Sequence, residues 1–357
     1  MSHVIDALAR RPEVANLLEA QWANRKAVLD ESLTIQAVPA PTFDEQARAE
    51  LVLRRFQEIR LEDVAQDDIG NVYGLMRGQV PSLPGVLLSA HLDTVFPAQT
   101  DLQVRLESNG ARIYGPGLGD NSVGLAALIS TAEQFSTYGI RPLANVWWVA
   151  TVGEEGLGNL RGMRRAIEQL TGKIGLVIVV EGMALGRVYH AGLGVRRLRI
   201  SVEGPGGHSW LHREQPSAIH HLLRLGAALV DETTIPDRPR CSLNVGLIDG
   251  GTSINTIASA ASLALDLRSV DPAALEQLER QVVGLVERYR DGGLTTKVEV
   301  IGDRPAAMLA VSHPLVQAAD EVLRYLHVGR ASYEIGSTDA NVPLAHQIPA
   351  VCIGITT

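Results

Sequence analysis

The sequence contains few cysteines, no long apolar run and no excess of basic residues, and each of these absences excludes a class of protein. Only two cysteines, Cys241 and Cys352, occur among 357 residues, and no CxxC pair is present. A disulfide framework and a cysteine-ligated zinc site are therefore both disfavoured, and the reducing cytoplasm is the expected compartment.

Membranes and nucleic acids are also disfavoured as partners. The longest apolar runs, such as Ile174–Val180, are far shorter than the roughly 20 residues that cross a membrane. The opening stretch carries Asp6, Arg10 and Glu13 where a signal peptide needs an unbroken apolar core, so export is not expected. The formal net charge of −8 does not provide the basic face that nucleic acid requires.

Several common catalytic motifs are missing as well. The sequence has neither the HExxH pair of zincins nor the GxSxG nucleophile elbow of serine hydrolases. The glycine-rich stretch GPGLGD lacks the order and context of a dinucleotide fingerprint, so a nicotinamide cofactor is not expected.

Strand-like and helix-like segments alternate through the first half of the chain. The strand-like segments are NVYGLM, GVLLSA, NVWWVATVG and IGLVIVVEG, and the helical segments among them are SVGLAALISTAEQF and NLRGMRRAIEQL. Continuous apolar strands separated by helices predict an α/β sheet that is covered on both faces.

This rhythm changes after about Gly192 and resumes after Pro305. The segments in between follow the order strand, helix, strand, strand, helix, strand over about 110 residues, which is the order of the ferredoxin-like split motif. We therefore expect a discontinuous first domain, 1–192 with 306–357, and an inserted domain, 193–305.

Titratable residues follow the apolar strands of the first domain. His91 and Asp93 come after LLSA, and their i, i+2 spacing places both side chains on one face of the strand. Glu154 and Glu155 follow NVWWVATVG, and Glu181 follows IGLVIVV. Open α/β sheets bind their ligands at the carboxyl ends of their strands, so these residues are candidates for a functional site.

Asp120 belongs to the same group, since it lies in the glycine-rich loop YGPGLGDNSVG directly before a predicted helix. Charged side chains after buried strands are costly unless they are paired or bind a metal. Each residue also has an ordinary alternative: Asp120 could cap its helix, Glu154 and Glu155 could be a solvated pair, and His91 could be a hydrogen-bonded histidine at a strand end. Together, one imidazole and several carboxylates favour a divalent transition metal, zinc before magnesium or calcium.

The sequence resembles the two-zinc exopeptidases and amidohydrolases that include glutamate carboxypeptidase, acetylornithine deacetylase, succinyl-diaminopimelate desuccinylase and peptidase T. The resemblance runs from about residue 30 to the end and rests on HLDTV, GPGLGDNSVG, GEEGLG, VVEG, GPGGHS, GGTSINTIA, DLRS and GSTDAN. It implies a phosphorylase/hydrolase-like zinc catalytic domain with a mixed central sheet and an inserted ferredoxin-like domain that mediates dimerisation.

The resemblance also implies a ligand set for two zinc ions, for which cobalt or manganese could substitute. Asp120 would bridge the two ions. His91 and Glu181 would complete the site of one ion, and Glu155 would bind the other. A cis peptide bond would follow the bridging aspartate, between Asp120 and Asn121.

Two further residues of the first domain receive roles from the resemblance. Glu154 would be the general base that takes a proton from the attacking water. Asp93 would hold the ring of His91 in its metal-ligating tautomer.

Three residues of the inserted domain would bind substrate: His208, Asn255 and Arg268. The resemblance implies that His208 reaches the active site of the partner subunit and binds the substrate carbonyl oxygen, while the planar fork of Arg268 suits a carboxylate. The expected assembly is therefore a homodimer, formed through an edge strand of the inserted domain, with the strand that ends near His208 as the first candidate.

The implied activity is hydrolysis of an amide bond in a small peptide or N-acyl amino acid. The alternative is a catalytically impaired homologue that keeps the dimeric scaffold for ligand binding. The family pattern has one more histidine ligand, roughly a dozen residues after the strand PAVCIGI, whereas this chain stops at Thr357 and neither His313 nor His346 fits the pattern. On that pattern we expect this chain to bind its second zinc weakly.

Overall fold

The structure is a computed structural model that describes residues 2–108 and 112–357. The chain divides into two compact units: the first comprises Met1–Gly192 and Met308–Thr357, and the second comprises Leu193–Ala307. Up to Gly192 the elements are α1 Ser2–Ala9, α2 Pro12–Ala23, α3 Arg25–Gln36, α4 Gln46–Ile59, β1 Glu62–Gln66, β2 Val72–Met76, β3 Gly85–His91, β4 Arg105–Leu106, β5 Ile113–Tyr114, a π-helical turn Leu118–Ser122, α5 Val123–Thr137, β6 Val146–Thr151, a 3₁₀ turn Gly156–Gly158, α6 Arg161–Gln169, β7 Ile174–Leu185 and β8 Arg187–Gly192.

The remaining elements follow in chain order. They are β9 Gly194–Glu203, β10 Gly207–His208, α7 Ala218–Asp231, β11 Cys241–Gly250, β12 Thr256–Ile257, β13 Ala260–Ser269, α8 Pro272–Arg288, β14 Thr295–Arg304, β15 Ala307–Met308, α9 Pro314–Tyr325, β16 Ser332–Gly336, α10 Asn341–Ala345 and β17 Ala350–Gly354. Within the described residues, no helix combines the length and the apolar character needed to cross a membrane.

The first unit is built on a mixed sheet, which confirms the predicted α/β class. Its strands run in the order β1-β2-β6-β3-β7-β17-β8, and β16 also pairs with β8. The central strands β6, β3, β7 and β17 are parallel neighbours, while β2 joins β6 and β17 joins β8 in antiparallel pairs. Because β3, β6 and β7 are parallel, their carboxyl ends lie at the same edge of the sheet.

Helices α3, α4 and α5 pack with this sheet around one apolar core. Ile35, Phe56, Leu125, Ile129 and Trp148, which come from the three helices and β6, are all buried in that cluster. The first half of α5, VGLAALI, is apolar on every side, and most of its residues are buried, as is typical of a helical segment inside a protein. This packing fixes the strand ends that carry the titratable residues.

Apart from the two-residue strands β10 and β12, the elements of the second unit follow the order strand, helix, strand, strand, helix, strand. Its four-stranded sheet runs β14-β9-β13-β11, every neighbouring pair is antiparallel, and α7 and α8 supply apolar residues to the core beside it. The candidate edge strand was predicted wrongly, because β9, which leads towards His208, lies between β13 and β14. The strands at the two edges of this sheet are β11 and β14.

Alternation in β9 predicted a half-exposed strand, and the structure explains its polar positions. Arg196 lies within 3.1 Å of Glu279 and 3.2 Å of Asp303, and Arg197 lies 3.3 Å from Asp266. Arg196 and Arg197 are consecutive residues and therefore point to opposite faces of this interior strand, and acidic residues on neighbouring elements pair with each of them.

Candidate metal centre

The candidate residues of the first unit lie together at one edge of the sheet, towards the carboxyl ends of the parallel strands β3, β6 and β7. His91 is the last residue of β3, and Glu154 and Glu155 follow β6. Glu181 was predicted to follow its strand, but it lies inside β7, which continues to Leu185. The pairing of β7 with β17 is irregular between Val180 and Leu185, so Glu181 falls in an interruption of the ladder that leaves its side chain part-exposed at this edge.

Asp120 reaches the same edge from the π-helical turn that precedes α5. The peptide bond between Asp120 and Asn121 is cis, as the resemblance implied. The N-cap residue of α5 is Ser122. The alternative in which Asp120 merely caps its helix is therefore excluded.

His91 is the centre of the cluster. Its Nε2 lies 2.9 Å from Asp120 Oδ1 and 3.4 Å from Glu181 Oε2, and its side chain is almost fully buried. Its Nδ1 lies 3.0 Å from the backbone carbonyl oxygen of Asp93. Since a carbonyl oxygen only accepts hydrogen bonds, Nδ1 carries a proton there. Nε2, which faces the two carboxylates, is therefore the ring nitrogen placed to ligate a metal.

The carboxylate of Asp93 faces both His91 and the loop after β6. Its Oδ1 lies 3.5 Å from Nδ1 of His91, beside the 3.0 Å contact made by the backbone carbonyl of the same residue. Oδ1 also accepts the backbone N–H of Glu154 at 2.9 Å, and Oδ2 accepts that of Glu155 at 2.9 Å and the hydroxyl of Thr42 at 2.8 Å. The carboxylate of Asp93 thus joins the strand end of β3 to the loop after β6.

These contacts also decide the charge of Asp93. Burial by itself disfavours the carboxylate, but the hydrogen bond and the charge of His91, with the amides of Glu155 and Glu154, outweigh burial and lower the pKa of Asp93 to about 2. Asp93 is therefore ionised throughout the physiological range and acts as a fixed acceptor.

The donor set fits a divalent cation. The side chains form two groups of possible ligand atoms, and within each group the atoms lie no more than 4.8 Å apart. The first group is His91, Asp120 and Glu181, and the second is His91, Glu154 and Glu155. Burial, followed by the charge of Asp120, raises the pKa of Glu155 to about 7 in the metal-free chain. Carboxylates crowded around one imidazole in this way repel each other, and a bound cation relieves that repulsion.

Burial also decides between the alternatives for the Glu154–Glu155 pair. Glu154 is only 6% exposed, and the backbone of both residues is hydrogen-bonded to Asp93. A solvated surface pair is therefore excluded. Asp120 and Glu181 in turn line a cavity of about 660 Å³ together with Met183, Tyr189 and other residues of the first unit, so the cluster is reachable by a small molecule.

The three predicted substrate-binding residues lie in the second unit. His208 ends β10 opposite Thr256 of β12, and its Nδ1 accepts the N–H of Trp210 at 3.2 Å. Asn255 is adjacent to it along the pair, since its carbonyl accepts the N–H of Ser209 at 3.0 Å. Arg268 lies in β13, apart from these two, and its Nε donates to Asp266 at 2.7 Å.

A buried aspartate near the candidate metal ligands received no role from the sequence. Asp339, within the quoted motif GSTDAN, is fully buried, and its Oδ2 accepts the hydroxyl proton of Thr151 at 2.6 Å. Within the described residues, its Oδ1 has no hydrogen-bond partner. Burial raises the pKa of Asp339 to about 6, and the hydrogen bond from Thr151 only partly opposes that rise. The motif was visible in the sequence, but its burial was not.

In the metal-free chain, we expect Asp339→Asn to reduce the pH dependence of stability. The pKa of Asp339 is higher in the folded than in the unfolded chain, so its contribution to stability is full below about pH 4 and is lost as the pH rises through about 6. The loss amounts to about 3 kcal/mol, which the variant should not show. Urea unfolding with a chelator at about pH 4 and about pH 8 measures it. The exposed Asp101→Asn is the control, and identical pH dependence in wild type and Asp339→Asn would contradict the assignment.

Comparison with known proteins places this chain in a family. Residues 87–357 match the group described as Peptidase family M20/M25/M40. An uncharacterized Bacillus subtilis protein, YqjE, is 25% identical, and the match covers 93% of this chain and 91% of that protein. The family resemblance seen in the sequence is confirmed by the match over residues 87–357.

Solved structures share the fold. A tripeptidase from Staphylococcus aureus superposes with a TM-score of 0.73 at 23% identity, covering 93% of this chain and 90% of the tripeptidase. YxeP of Bacillus subtilis, described as a dinuclear metal binding peptidase from the M20 family, gives a TM-score of 0.63 at 16% identity, covering 93% of this chain and 89% of YxeP. At these identities the two structures show a common fold and nothing finer.

Proposed function

Because the chain belongs to Peptidase family M20/M25/M40, and is thus a metallopeptidase or amidohydrolase, we propose that it is a zinc-dependent hydrolase of amide bonds in small peptides or N-acyl amino acids. The observation that carries the proposal is the approach of Asp120 and Glu181 to Nε2 of His91, beside the buried Glu154. Imidazole with carboxylates is the donor set of catalytic zinc.

The residues divide the chemistry among them. His91, Asp120, Glu181 and Glu155 would hold the metal, which when bound polarises a carbonyl oxygen and lowers the pKa of water. Glu154 accepts the proton of the attacking water and then gives it to the leaving nitrogen. Its position for this step is supported by the hydrogen bond from its backbone N–H to Asp93, whose carboxylate stays ionised.

A substrate panel tests the proposal. We expect the zinc-loaded protein to hydrolyse at least one class among dipeptides, N-acetyl amino acids and N-succinyl amino acids, with a chelator abolishing turnover and zinc restoring it. The released amine is measured in each case. Binding of these compounds without any turnover, in protein verified to contain metal, would instead identify a catalytically impaired homologue that keeps its scaffold for ligand binding.

We further propose that the protein is a homodimer formed through the second unit. The edge strand β11 supports this, because Leu247 and Ile248 are 72% and 59% exposed on an edge that is open to pairing. A second copy of the chain offers the same strand, so the contact would be isologous. In such a dimer His208 would bind the substrate carbonyl in the partner's site, as the family resemblance implies.

A charge on that edge should separate the subunits. We expect Leu247→Asp to give a monomer, because pairing two β11 strands would bring two carboxylates together. The matched control is Val300→Asp on β14, the opposite edge, which should stay dimeric. Analytical ultracentrifugation reads the result. A dimeric Leu247→Asp protein, or a monomeric Val300→Asp protein, would move the interface away from β11.

The compartment we propose is the cytoplasm. Cys241 and Cys352 are both free and buried, an arrangement that a reducing compartment preserves.

A further inference from the structure

The loop that carries Glu154 is held by carboxylates at three consecutive residues. The N–H groups of Glu154 and Glu155 donate to Asp93, and the N–H of Gly153 donates to Oε1 of Glu45 at 3.1 Å. Residues 153 and 45 are far apart in sequence, and Glu45 is only 4% exposed. Building on the proposed function, we propose that Glu45 and Arg161 are positioning residues that set the backbone of Gly153 and thereby aim the carboxylate of Glu154.

Arg161 provides the opposite charge beside the buried carboxylate of Glu45. Its Nη2 donates to both carboxylate oxygens of Glu45, at 2.9 and 2.8 Å. Its guanidinium carbon also lies 4.8 Å from the ring centre of Phe43. A buried carboxylate is costly without a partner of this kind, so the pair acts as a unit.

Gly153 has the backbone conformation and the open space that the Glu45–Arg161 pair requires. Its φ is +65°, a value that residues other than glycine rarely adopt. A Cβ at Gly153 would lie 2.0 Å from Nη1 of Arg161, so only glycine allows the guanidinium to approach. The carbonyl of Gly153 accepts the N–H of Leu160 at 2.9 Å, which closes the loop onto the start of α6. The residue before Glu154 is thus fixed on both sides of its own backbone.

The segment 40–45, which contains Glu45, also contacts Asp93 and its neighbour Thr94. Thr42 donates its hydroxyl to Asp93, and the N–H of Thr94 donates to the carbonyl of Ala40 at 2.8 Å. Residues 40–45 therefore connect the strand end of β3 with the loop after β6. A small shift of Gly153 would rotate Glu154 relative to the substrate, and errors of about 1 Å in a catalytic group cost up to about 100-fold in rate.

The test uses the full chain loaded with zinc and the best substrate of the panel. We expect Glu45→Gln to lower kcat by about 10-fold and Glu45→Ala by about 100-fold, with KM and metal content little changed. In the Glu154→Gln background, Glu45→Gln should cause little further loss, because the group that it positions is already disabled.

The controls are an ion pair on the surface of the same unit. Arg165 of α6 pairs with Asp68, 3.0 Å away in the turn after β1, and Asp68→Asn and Arg165→Ala should leave kcat unchanged. If Glu45→Gln lowered kcat as much in the Glu154→Gln background as in the wild type, the positioning role would be overturned. A Glu45→Gln protein with wild-type kcat would overturn it as well. Full activity of Glu154→Gln alone would overturn the proposed function instead, so the two failures are distinguishable.

Discussion

Glu154→Gln should retain the fold and the metal yet lose activity by about 10²- to 10⁴-fold, the usual contribution of a general base. The carboxamide has nearly the same size and can keep the backbone hydrogen bond to Asp93, but it does not accept the proton of water. The loss should therefore fall on kcat, with KM nearly unchanged. Steady-state kinetics on metal-replete protein, with metal content measured on the same sample, gives the result.

Its matched control is Glu168→Gln, an exposed glutamate of α6. That substitution removes the same charge from the first unit without touching the cluster, so its kcat should equal that of the wild type. Near-normal turnover of metal-replete Glu154→Gln would remove Glu154 from the mechanism and leave Glu155, whose pKa is raised to about 7 by burial, as the next candidate base.

The parts of the site that the sequence predicts are those determined locally. His91, Glu155 and Asp120 could be selected because each lies at or near a strand end or before a helix, where neighbours in sequence decide the orientation. Glu181 was selected by the same reasoning, although the structure shows that its strand continues past it. A strand pattern gives the face of a residue, but the end of a strand depends on a partner strand from elsewhere in the chain.

The parts that the sequence does not predict depend on distant contacts. The carboxylate of Asp93 binds Thr42, Glu154 and Glu155, and none of these is its sequence neighbour. Nothing in the sequence around Glu45, directly before α4, indicates that Gly153 will lie against it.

The order of strands in the second unit shows the same limit. Periodicity identified β9 correctly as a strand, but the polar residues of a strand can meet either solvent or ion-pair partners. The acidic partners of the arginines in β9 come from β13, α8 and β14, and only the folded chain brings them there. The edge of a sheet is therefore a property of the assembled strands.

Asp120→Ala should remove more metal than any other single substitution in the cluster. The family resemblance implies that Asp120 bridges two ions, and the structure places its Oδ1 2.9 Å from Nε2 of His91. Loss of a shared ligand weakens both sites, whereas Glu155→Ala should weaken only one of them. Activity of Asp120→Ala should fall to background, because both the polarised carbonyl and the activated water depend on the metal.

Two measurements that do not depend on activity check this prediction. The first is zinc per chain after dialysis, which should be lower for Asp120→Ala than for Glu155→Ala and unchanged for the exposed control Asp101→Ala. The second is thermal unfolding against zinc concentration. A ligand at 100 times its Kd stabilises the folded chain by about 2.7 kcal/mol, so zinc should raise the Tm of the wild type clearly and that of Asp120→Ala hardly at all. If Asp120→Ala bound as much zinc as Glu155→Ala and showed the same rise in Tm, Asp120 would be an ordinary ligand of one ion and the bridging role would belong to another carboxylate of the cluster.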